Sequence, residues 1–450
     1  MAARSIPEKK SFWNPQVETM PREKLAEIQL ERLRKTVRRA YEKVPFYRET
    51  MDRAGVRPEN INSLADLVRL PTTTKDDLRQ GYPLGFLACP REEVVRFHAS
   101  SGTTGVPVIA AYTRKDMELW GEVMARSLVA AGVQPGMIVH NAYGYGLFTG
   151  GLGVQAGIQR LGATELPMSG GLTQRQVTFL ADLGAQVLTC TPSYALVIAE
   201  TARSLGVDLA ADPRLQIGIF GAEVWTDSIR RQIEAELGLK AYNIYGLTEI
   251  IGPGVASECP AHRGLHIQED WFLPEILDPA TGEPLPPGEE GELCLTTLKE
   301  AMPLLRFRTK DLTRLDPTPC SCGRTTVRME PVLGRSDDML TIRGVNVFPS
   351  QIEIVLLRHP ELSPNYQVVV DRERLMDTLE IRVEVTSAVW EAGPSILDSL
   401  GALLRQELQE ILAVSATVQL VAPGLMPRSE GKAKRIVDRR DLVGKKLGSR

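Results

Sequence analysis

Five short apolar segments decide the fold: MIVHNAYG (137–144), ATELPM (163–168), AQVLTC (185–190), LQIGIF (215–220) and KAYNIYG (240–246). Stretches of helical periodicity separate them, among them TQRQVTFLADLG and TDSIRRQIEAELG. Strands and amphipathic helices that take turns along a chain are typical of a mainly parallel sheet covered by helices. Ligand-binding loops in such folds lie at the carboxyl ends of the strands. The sequence therefore predicts an α/β protein whose site is built from the loops that follow these segments.

The regions on both sides of this alternation have a different pattern. Apolar residues recur at three- and four-residue steps over 22–44, directly after Pro21, which predicts a long packing helix. After Ile250 the helical period disappears, and proline and glycine crowd into ILDPATGEPLPPGEEGELCLTTL, which predicts β-hairpins. We therefore expect the α/β region to end in a β-rich part.

A smaller pattern begins past Gly334. It predicts helices near 349–358 and 393–412 and strands near 365–371, 378–386 and 417–421. We place a domain boundary at this point, between a large N-terminal domain (1–334) and a small α+β C-terminal domain (335–450).

The composition excludes several classes of protein. The chain has 450 residues, of which 43% are hydrophobic, so it is globular and can bury more than one core. Its 53 Lys and Arg against 56 Asp and Glu give a net charge of −3, which offers no general attraction for nucleic acid or an anionic membrane. The sequence has no apolar run of the ~18 to 20 residues that a membrane helix needs, and no signal-peptide segment near its start. We expect a cytoplasmic protein with small-molecule partners.

A loop rich in hydroxyls and glycine follows the apolar run VVRF. It reads SSGTTGVP over 100–107. Its central residues are Ser101, Gly102, Thr103, Thr104 and Gly105. Hydroxyls and backbone N–H groups can bind an anion, and glycine lets the backbone approach phosphate oxygens closely. Because Gly-Lys-Ser/Thr does not close the loop, it is not a Walker loop, and taken alone it predicts no more than a turn.

Four more motifs follow this loop in order. They are YGLTE (245–249), FRTKD (307–311), GRSDD (334–338) and GKAKR (431–435). In this order and spacing the set resembles the adenylate-forming superfamily of acyl-CoA synthetases and peptide-synthetase adenylation domains. Three further stretches, YGYGLFTGGLG (143–153), FGAEVW (220–225) and RGVNVFP (343–349), resemble the phenylacetate-CoA ligase family within it. The resemblance extends from about residue 10 to the last predicted strand.

This resemblance implies that ATP and Mg²⁺ bind to the chain. A carboxylate that attacks the α-phosphate meets charge repulsion, so the site must supply a metal ion and cationic donors. Glu249 matches the family's magnesium-binding glutamate, and Thr248 would contact the phosphate. Asp311 would accept hydrogen bonds from both ribose hydroxyls, and Arg335 would lie against the nucleotide. The implied nucleotide-binding set is residues 101–105, Tyr245, Gly246, Thr248, Asp311 and Arg335.

The resemblance also implies a mobile C-terminal domain. Lys432 matches the catalytic lysine that bridges the acid and the α-phosphate during adenylation. Asp337 lies where members of the superfamily hinge. Rotation there would withdraw Lys432 and bring Gly344 to the tunnel for the pantetheine arm of CoA, where a missing side chain matters.

An aryl pocket is implied by Tyr143, Phe148, Gly221 and Ala222. Two aromatic rings and two minimal side chains leave room for a flat ring and offer it edge and face contacts. Because none of the four is charged, we expect a substrate with one carboxylate and an otherwise uncharged ring. The glycines of the same stretch also suggest a dinucleotide site, but their spacing is G-x-G-x-x-x-G and no acidic ribose ligand follows about 20 residues on.

A zinc site is predicted from clustered cysteines. The stretch PCSCGR holds Cys320 and Cys322, and CPAHRGLH begins at Cys259 and holds His262 and His266. Three thiols and one imidazole make a closed tetrahedral site, which is a structural zinc site. Either histidine could be the fourth ligand, and the Gly-Leu-His triplet that accompanies the Cys pair in the family favours His266.

The motifs together predict an ATP-dependent aryl acid CoA ligase that forms an acyl-AMP and then a thioester. One alternative is an enzyme that adenylates an aryl acid and loads it on a carrier-protein thiol. A second is a zinc-stabilised binding module that has lost catalysis, against which the presence of Glu249, Asp311 and Lys432 argues. An NAD-dependent oxidoreductase is the weakest alternative. Family dimers would suggest a homodimer interface for the long N-terminal helix, although amphipathicity alone shows only a buried face.

Overall fold

A computed structural model describes most of the chain. The described residues are 11–100, 106–336, 340–342, 345–347, 349–373, 376–412, 414–426 and 435–440. Several residues of the predicted site lie outside them: Ser101, Gly102, Thr103, Thr104, Gly105, Asp337, Gly344 and Lys432.

The helices follow the predicted periodicity closely. They are α1 (Pro15–Glu18), α2 (Arg22–Lys43), α3 (Pro45–Arg53), α4 (Lys75–Gln80), α5 (Arg114–Ala130), α6 (Gly150–Leu161), α7 (Thr173–Asp182), α8 (Pro192–Ser204), α9 (Asp227–Leu237), α10 (Pro349–Leu356), α11 (Ser387–Glu391) and α12 (Pro394–Leu412). Short 3₁₀ turns cover Pro58–Asn60, Leu64–Arg69 and Arg91–Glu93.

The strands include all five apolar segments of the central alternation. They are β1 (Val94–Ala99), β2 (Ile109–Thr113), β3 (Ile138–Asn141), β4 (Thr164–Pro167), β5 (Val187–Cys190), β6 (Ile217–Gly221), β7 (Lys240–Leu247), β8 (Gly252–Glu258), β9 (Leu265–Ile267), β10 (Phe272–Leu277), β11 (Gly291–Thr297), β12 (Phe307–Thr313), β13 (Leu315–Asp316), β14 (Arg328–Met329), β15 (Gly334–Arg335), β16 (Leu340–Ile342), β17 (Val345–Val347), β18 (Leu362–Glu373), β19 (Met376–Val385), β20 (Thr417–Val421) and β21 (Ile436–Asp438).

The chain divides into two compact units. The first unit comprises Met1–Thr191, Ile198–Ala222 and Glu234–Val332, and the second comprises Pro192–Val197, Glu223–Ile233 and Leu333–Arg450. The domain boundary between 334 and 335 remains our proposal.

A nine-stranded sheet is the centre of the first unit, with strand order β13-β14-β9-β8-β7-β6-β5-β3-β4. Strands β4, β3, β5, β6 and β7 pair in parallel, which confirms the predicted α/β class. The sheet is mixed, because β7, β8, β9, β14 and β13 pair antiparallel. Strands β3, β6 and β7 end at the same edge of the parallel half, so the residues that follow them lie at that edge.

A second sheet in the same unit comes from the region rich in proline and glycine. Strands β10, β11 and β12 pair antiparallel, as the hairpin pattern predicts. The last of these strands carries Asp311.

The second unit has its own core. Strands β18 and β19 form a long antiparallel pair, β20 pairs in parallel with β19, and β21 pairs in parallel with β18. Buried side chains of α10 and α12, including Ile352 and Leu404, join the apolar core of these strands.

The apolar face of the N-terminal helix is used within the chain. Leu25, Leu33 and Val37 of α2 are completely buried. This helix therefore gives no separate support for a homodimer. In the described part of the chain, no helix combines the length and the apolar character that crossing a bilayer requires.

Candidate active site

A buried carboxylate follows the end of β7. The Glu249 side chain is about 5% exposed, and the Nζ of Lys75 lies 2.8 Å from its Oε1. Thr248 Oγ1 lies 3.4 Å from Thr149 Oγ1, which leads into α6. The structure thus places a cation directly against the residue predicted to bind Mg²⁺.

Lys75 was not predicted from the sequence. Thr74 and Asp77 form a capping box that begins α4, and this box places Lys75 in the first helical turn. The capping pattern is readable in the sequence. The contact with Glu249, 174 positions away, is not, because it depends on the packing of α4.

Tyr245 and Asp311 meet although they belong to different sheets. The hydroxyl of Tyr245 in β7 donates to Asp311 Oδ2 in β12 at 2.6 Å. The backbone N–H of Asp311 donates to Thr309 Oγ1 at 3.1 Å. The predicted ribose-binding carboxylate is therefore held in place by a residue of another predicted motif.

The glycine of the Tyr-Gly-Leu-Thr-Glu motif allows the chain to turn back on itself. A Cβ on Gly246 would overlap the carbonyl oxygen of Gly252. The pairing of β7 with β8 shifts register between Tyr245 and Gly246. Only glycine permits this close approach of the two strands, which sets the loop that carries Glu249.

Two aromatic rings of the predicted acyl pocket come together at Gly150. A Cβ on Gly150 would lie 3.3 Å from the ring of Tyr143 and would overlap the ring of Phe148. Tyr143 is buried, whereas Phe148 is 43% exposed. The pair forms an aromatic wall that has one buried ring and one accessible ring.

We predicted that glycine at position 221 makes room for the substrate ring, but the structure gives a different reason for a glycine there. A Cβ at this position would overlap the carbonyl oxygen of Ile244 in β7, so the missing side chain allows β6 and β7 to approach. It does not leave room for a substrate ring. The adjacent Ala222 is exposed and has a positive φ of 70°.

A polar network lies beside this pocket. The Nδ2 of Asn141 donates to Tyr145 Oη at 2.8 Å and to Glu165 Oε1 at 3.0 Å, and the Tyr145 hydroxyl donates to the same carboxylate. Burial, together with the adjacent Glu165, raises the pKa of Tyr145 well above its ordinary value. Tyr145 is therefore a neutral donor.

The four predicted metal ligands converge. The ligand atoms of Cys259, His266, Cys320 and Cys322 all lie within 4.8 Å of one another. The Sγ atoms of Cys259 and Cys320 are 3.7 Å apart, and Cys322 Sγ is 3.4 Å from His266 Nε2. His262 instead stacks on Tyr242 at a centroid distance of 5.0 Å. Of the two histidines considered, His266 belongs to the cluster.

These distances match the geometry of a tetrahedral metal. Zn–S bonds of ~2.3 Å and Zn–N bonds of ~2.0–2.1 Å separate two sulfurs by about 3.8 Å and a sulfur and a nitrogen by about 3.5 Å. The Nδ1 of His266 lies 3.2 Å from the carbonyl oxygen of Thr326, which leaves Nε2 directed at the cluster. Hydrogen bonding with Cys259, with a further contribution from His266, lowers the pKa of the Cys322 thiol. The four residues fit a zinc ion whose four ligands all come from the protein.

Arg335 is half-buried in β15, at the start of the second unit. Among the other described residues of the predicted nucleotide site, the structure brings together Tyr245 and Asp311. Gly246 lies in β7, and Thr248 and Glu249 lie in the turn that follows this strand.

The comparisons with known proteins agree with this fold. The family model for the AMP-binding enzyme matches residues 71–299, and the model for the AMP-binding enzyme C-terminal domain matches 344–440. A crystal structure of 2-hydroxyisobutyryl-CoA ligase in the postadenylation state with 2-HIB-AMP has a TM-score of 0.90 and 30% identity, covering 100% of this chain and 97% of that one. The same ligase with 2-HIB-AMP and CoA, in its thioesterification state, has a TM-score of 0.70 and 31% identity over 100% of this chain and 97% of that one.

The matches to both AMP-binding enzyme models place the chain in the adenylate-forming superfamily. The phenylacetate-coenzyme A ligase of Thermus thermophilus is 52% identical over 444 residues, which cover 95% of this chain and 100% of the relative. That of Escherichia coli is 48% identical over 431 residues, covering 95% and 98%. The chain belongs to the phenylacetate-CoA ligase family.

Proposed function

We propose that this chain is an AMP-forming ligase that joins an aryl carboxylic acid of the phenylacetate type to the thiol of coenzyme A. ATP first converts the acid to an acyl-AMP with release of pyrophosphate, and the CoA thiol then attacks the mixed anhydride. The observation that carries this proposal is the 52% identity to a phenylacetate-coenzyme A ligase over 95% of the chain.

Asp311 and Tyr245 hold the ribose in this proposal. The Tyr245 hydroxyl donates to Oδ2 of Asp311 and fixes the carboxylate, which in this proposal accepts hydrogen bonds from the sugar hydroxyls. Thr248 donates to a phosphate oxygen at the end of β7.

Glu249 would hold Mg²⁺. A buried carboxylate suits a hard cation that prefers oxygen ligands, and the ion pair with Lys75 shows that this position favours positive charge. Bound Mg²⁺ would neutralise charge on the phosphates as the acid attacks. Lys75 and Glu249 supply the fixed charges that orient the triphosphate.

The residues outside the described part of the chain keep the roles that the family resemblance implies. The loop 101–105 binds phosphate, and Lys432 bridges the acid and the α-phosphate. Asp337 is the hinge, and Gly344 lines the tunnel for CoA. Arg335, which the structure does describe, keeps its implied contact with the nucleotide.

The acyl group lies against Tyr143 and Phe148. The accessible ring of Phe148 covers one face of the substrate, and the buried ring of Tyr143 forms the end wall. Ala222 follows β6 at the same edge, and Gly221 contributes through its backbone.

We also propose a structural zinc ion at Cys259, His266, Cys320 and Cys322. All four positions of a tetrahedron are filled by protein ligands, so the ion would stabilise the fold and take no part in the reaction.

An acid-dependent pyrophosphate-release assay tests the function. We expect release with phenylacetate and not without an acid, together with thioester formation only when CoA is present. Asp311→Asn should weaken ATP binding without changing which acid is preferred. Acid-dependent release that yields product only with an acceptor carrier protein would instead support the carrier-loading alternative, and no release with any aryl acid would contradict the proposal.

A further inference from the structure

A lysine that the proposed reaction does not use is almost completely buried beside the magnesium loop. Lys299 is 2% exposed, and its Nζ donates to the carbonyl oxygen of Glu249 at 3.3 Å. Its Nζ also lies 5.3 Å from the centre of the Tyr112 ring. A buried ammonium group is costly unless its hydrogen bonds serve a purpose.

The nearby carboxylate of Asp116 is already engaged. It accepts hydrogen bonds from the backbone N–H groups of Thr113, Glu300 and Ala301. The described contacts of the Lys299 ammonium group are instead with the Glu249 carbonyl oxygen and the Tyr112 ring.

Two more buried side chains donate hydrogen bonds to backbone carbonyls of the segment 249–253, as Lys299 does. The hydroxyl of Tyr112 donates to the carbonyl oxygen of Ile251 at 3.1 Å, and the Nε1–H of Trp120 donates to that of Pro253 at 2.9 Å. The carbonyls of residues 249, 251 and 253 are thus each bound by a side chain from outside the segment. We call Lys299, Tyr112 and Trp120 the anchoring donors.

The anchoring donors have little freedom to move. The rings of Tyr112 and Trp120 are stacked, with centroids 5.0 Å apart and planes 13° apart. Gly252 has a φ of 98°, and a Cβ there would lie 2.6 Å from the Trp120 ring. The ring packs directly on the backbone, so movement of a donor moves the segment.

We propose that the anchoring donors are positioning residues that fix the Glu249 loop for Mg²⁺·ATP. Glu249 begins the anchored segment, and octahedral Mg²⁺ tolerates little displacement of a ligand. This inference rests on the proposed function, because it takes Glu249 as the magnesium ligand.

The test measures binding of Mn²⁺ with α,β-methylene-ATP, by the loss of the free Mn²⁺ electron paramagnetic resonance signal. Tyr112→Phe removes one hydroxyl and keeps the stacked ring, and Lys299→Met removes the ammonium group. The matched control is Ser127→Ala in α5, which removes a buried hydroxyl bonded to the Val123 carbonyl at 2.9 Å. Thermal unfolding is recorded for every variant.

We expect Tyr112→Phe and Lys299→Met to weaken Mn²⁺ binding in the ternary complex by about 3- to 10-fold, the effect of one hydrogen bond. In the ligase assay the KM for Mg²⁺·ATP should rise while the KM for the acid stays unchanged. Ser127→Ala should lose thermal stability and keep its Mn²⁺ affinity within about twofold.

Equal Mn²⁺ affinities for Tyr112→Phe and Ser127→Ala would overturn the inference, because the hydroxyl would then be only structural. Lys299→Met is the more disruptive change. If Lys299→Met does not fold, Tyr112→Phe alone decides the outcome. Undiminished Mn²⁺ binding by Glu249→Gln would also overturn it, because Glu249 would then not be the metal ligand. Failure of the proposed function is separate, since it would appear as no acid-dependent pyrophosphate release by the wild type.

Discussion

Lys75 and Glu249 form the charged pair that distinguishes the proposed phosphate site. The carboxylate is buried and the ammonium group is partly exposed, so solvent screens the pair on one side only. Such a pair is stronger than an ion pair between two exposed residues. Lys75 of α4 thus places a positive charge beside Glu249, next to the phosphate site that we propose.

Lys75→Gln should therefore lower the rate of adenylation by ~10-fold or more, because a preorganised charge is lost where negative charge develops. The matched control is Lys115→Gln, which removes an exposed lysine 3.0 Å from Glu300. Acid-dependent pyrophosphate release measures both variants. Similar rates for the two would show that Lys75 has no part in the reaction.

Phe148 should set the size of the preferred acid. Phe148→Ala removes the accessible ring of the aromatic wall, so efficiency on benzoate should fall and bulkier indoleacetate should gain relative to it. Each methylene of contact is worth ~1 to 3 kcal/mol in such a pocket. The ranking of kcat/KM for phenylacetate, benzoate and indoleacetate checks this.

Phe179→Ala is the control for this change, because Phe179 is a phenylalanine on α7 with a similar exposure of 36%. It should leave the ranking unchanged. If Phe148→Ala also left the ranking unchanged, its ring would not contact the substrate. Gly221→Val is unsuitable as a test of pocket volume, since the added side chain would strike β7.

The turn from Cys320 to Arg324 joins the metal cluster to the start of the chain. Arg324 lies 2.8 Å from the buried carboxylate of Glu18 and donates to the carbonyl oxygen of Ser11 at 2.9 Å. Its guanidinium lies 4.8 Å from the centre of the Phe12 ring. Contacts of Arg324 therefore connect the segment 11–18 to the turn that carries Cys320 and Cys322.

Cys320→Ser should lose about one zinc per chain, lower the thermal midpoint and expose the backbone amides of 11–20 to hydrogen exchange, because metal binding at a closed site is folding free energy. Metal analysis, thermal unfolding and hydrogen exchange check the three effects. Cys89→Ser is the control, since this half-buried cysteine lies outside the cluster. Wild-type protein prepared without chelators that contains no zinc would contradict the prediction.

Elements with a strong local period could be predicted from the sequence, and contacts between distant elements could not. The helix expected over 22–44 is Arg22–Lys43, and the strand expected over 417–421 is Thr417–Val421. The cysteine spacing and the family resemblance were enough to predict that Cys259, His266, Cys320 and Cys322 come together. Lys75 and the anchoring donors act on residues that are far away in sequence, so local pattern carries no sign of them.

At the scale of the molecule, the mixed sheet buries a histidine that remains neutral. His140 in β3 is completely buried and pairs with Gln176, and burial lowers its pKa to about 4. The unfolded chain binds this proton at an ordinary pKa of ~6.5. Unfolding therefore takes up a proton between pH 6.5 and 4, and stability that is complete above pH 6.5 is lost as the pH falls.

Lowering the pH from 6.5 to 5 should reduce the free energy of unfolding by about 2 kcal/mol through His140 alone. His140→Gln should make the urea midpoint less dependent on pH over that range. Between pH 7 and 8 the variant and the wild type should differ by a constant amount. The same steep acid slope in both proteins would assign the loss to other groups.

The hydrogen bond from Tyr245 to Asp311 crosses from the nine-stranded sheet to the antiparallel sheet. A ribose bound by that carboxylate would add its binding free energy to a hydrogen bond that already links the two sheets. A ligand that binds only the folded protein adds about 2.7 kcal/mol of stability at one hundred times its dissociation constant. Thermal unfolding recorded with AMP and with 2′,3′-dideoxy-AMP measures the contribution of the two ribose hydroxyls. We expect the larger rise in the midpoint with AMP, because only AMP can make both hydrogen bonds.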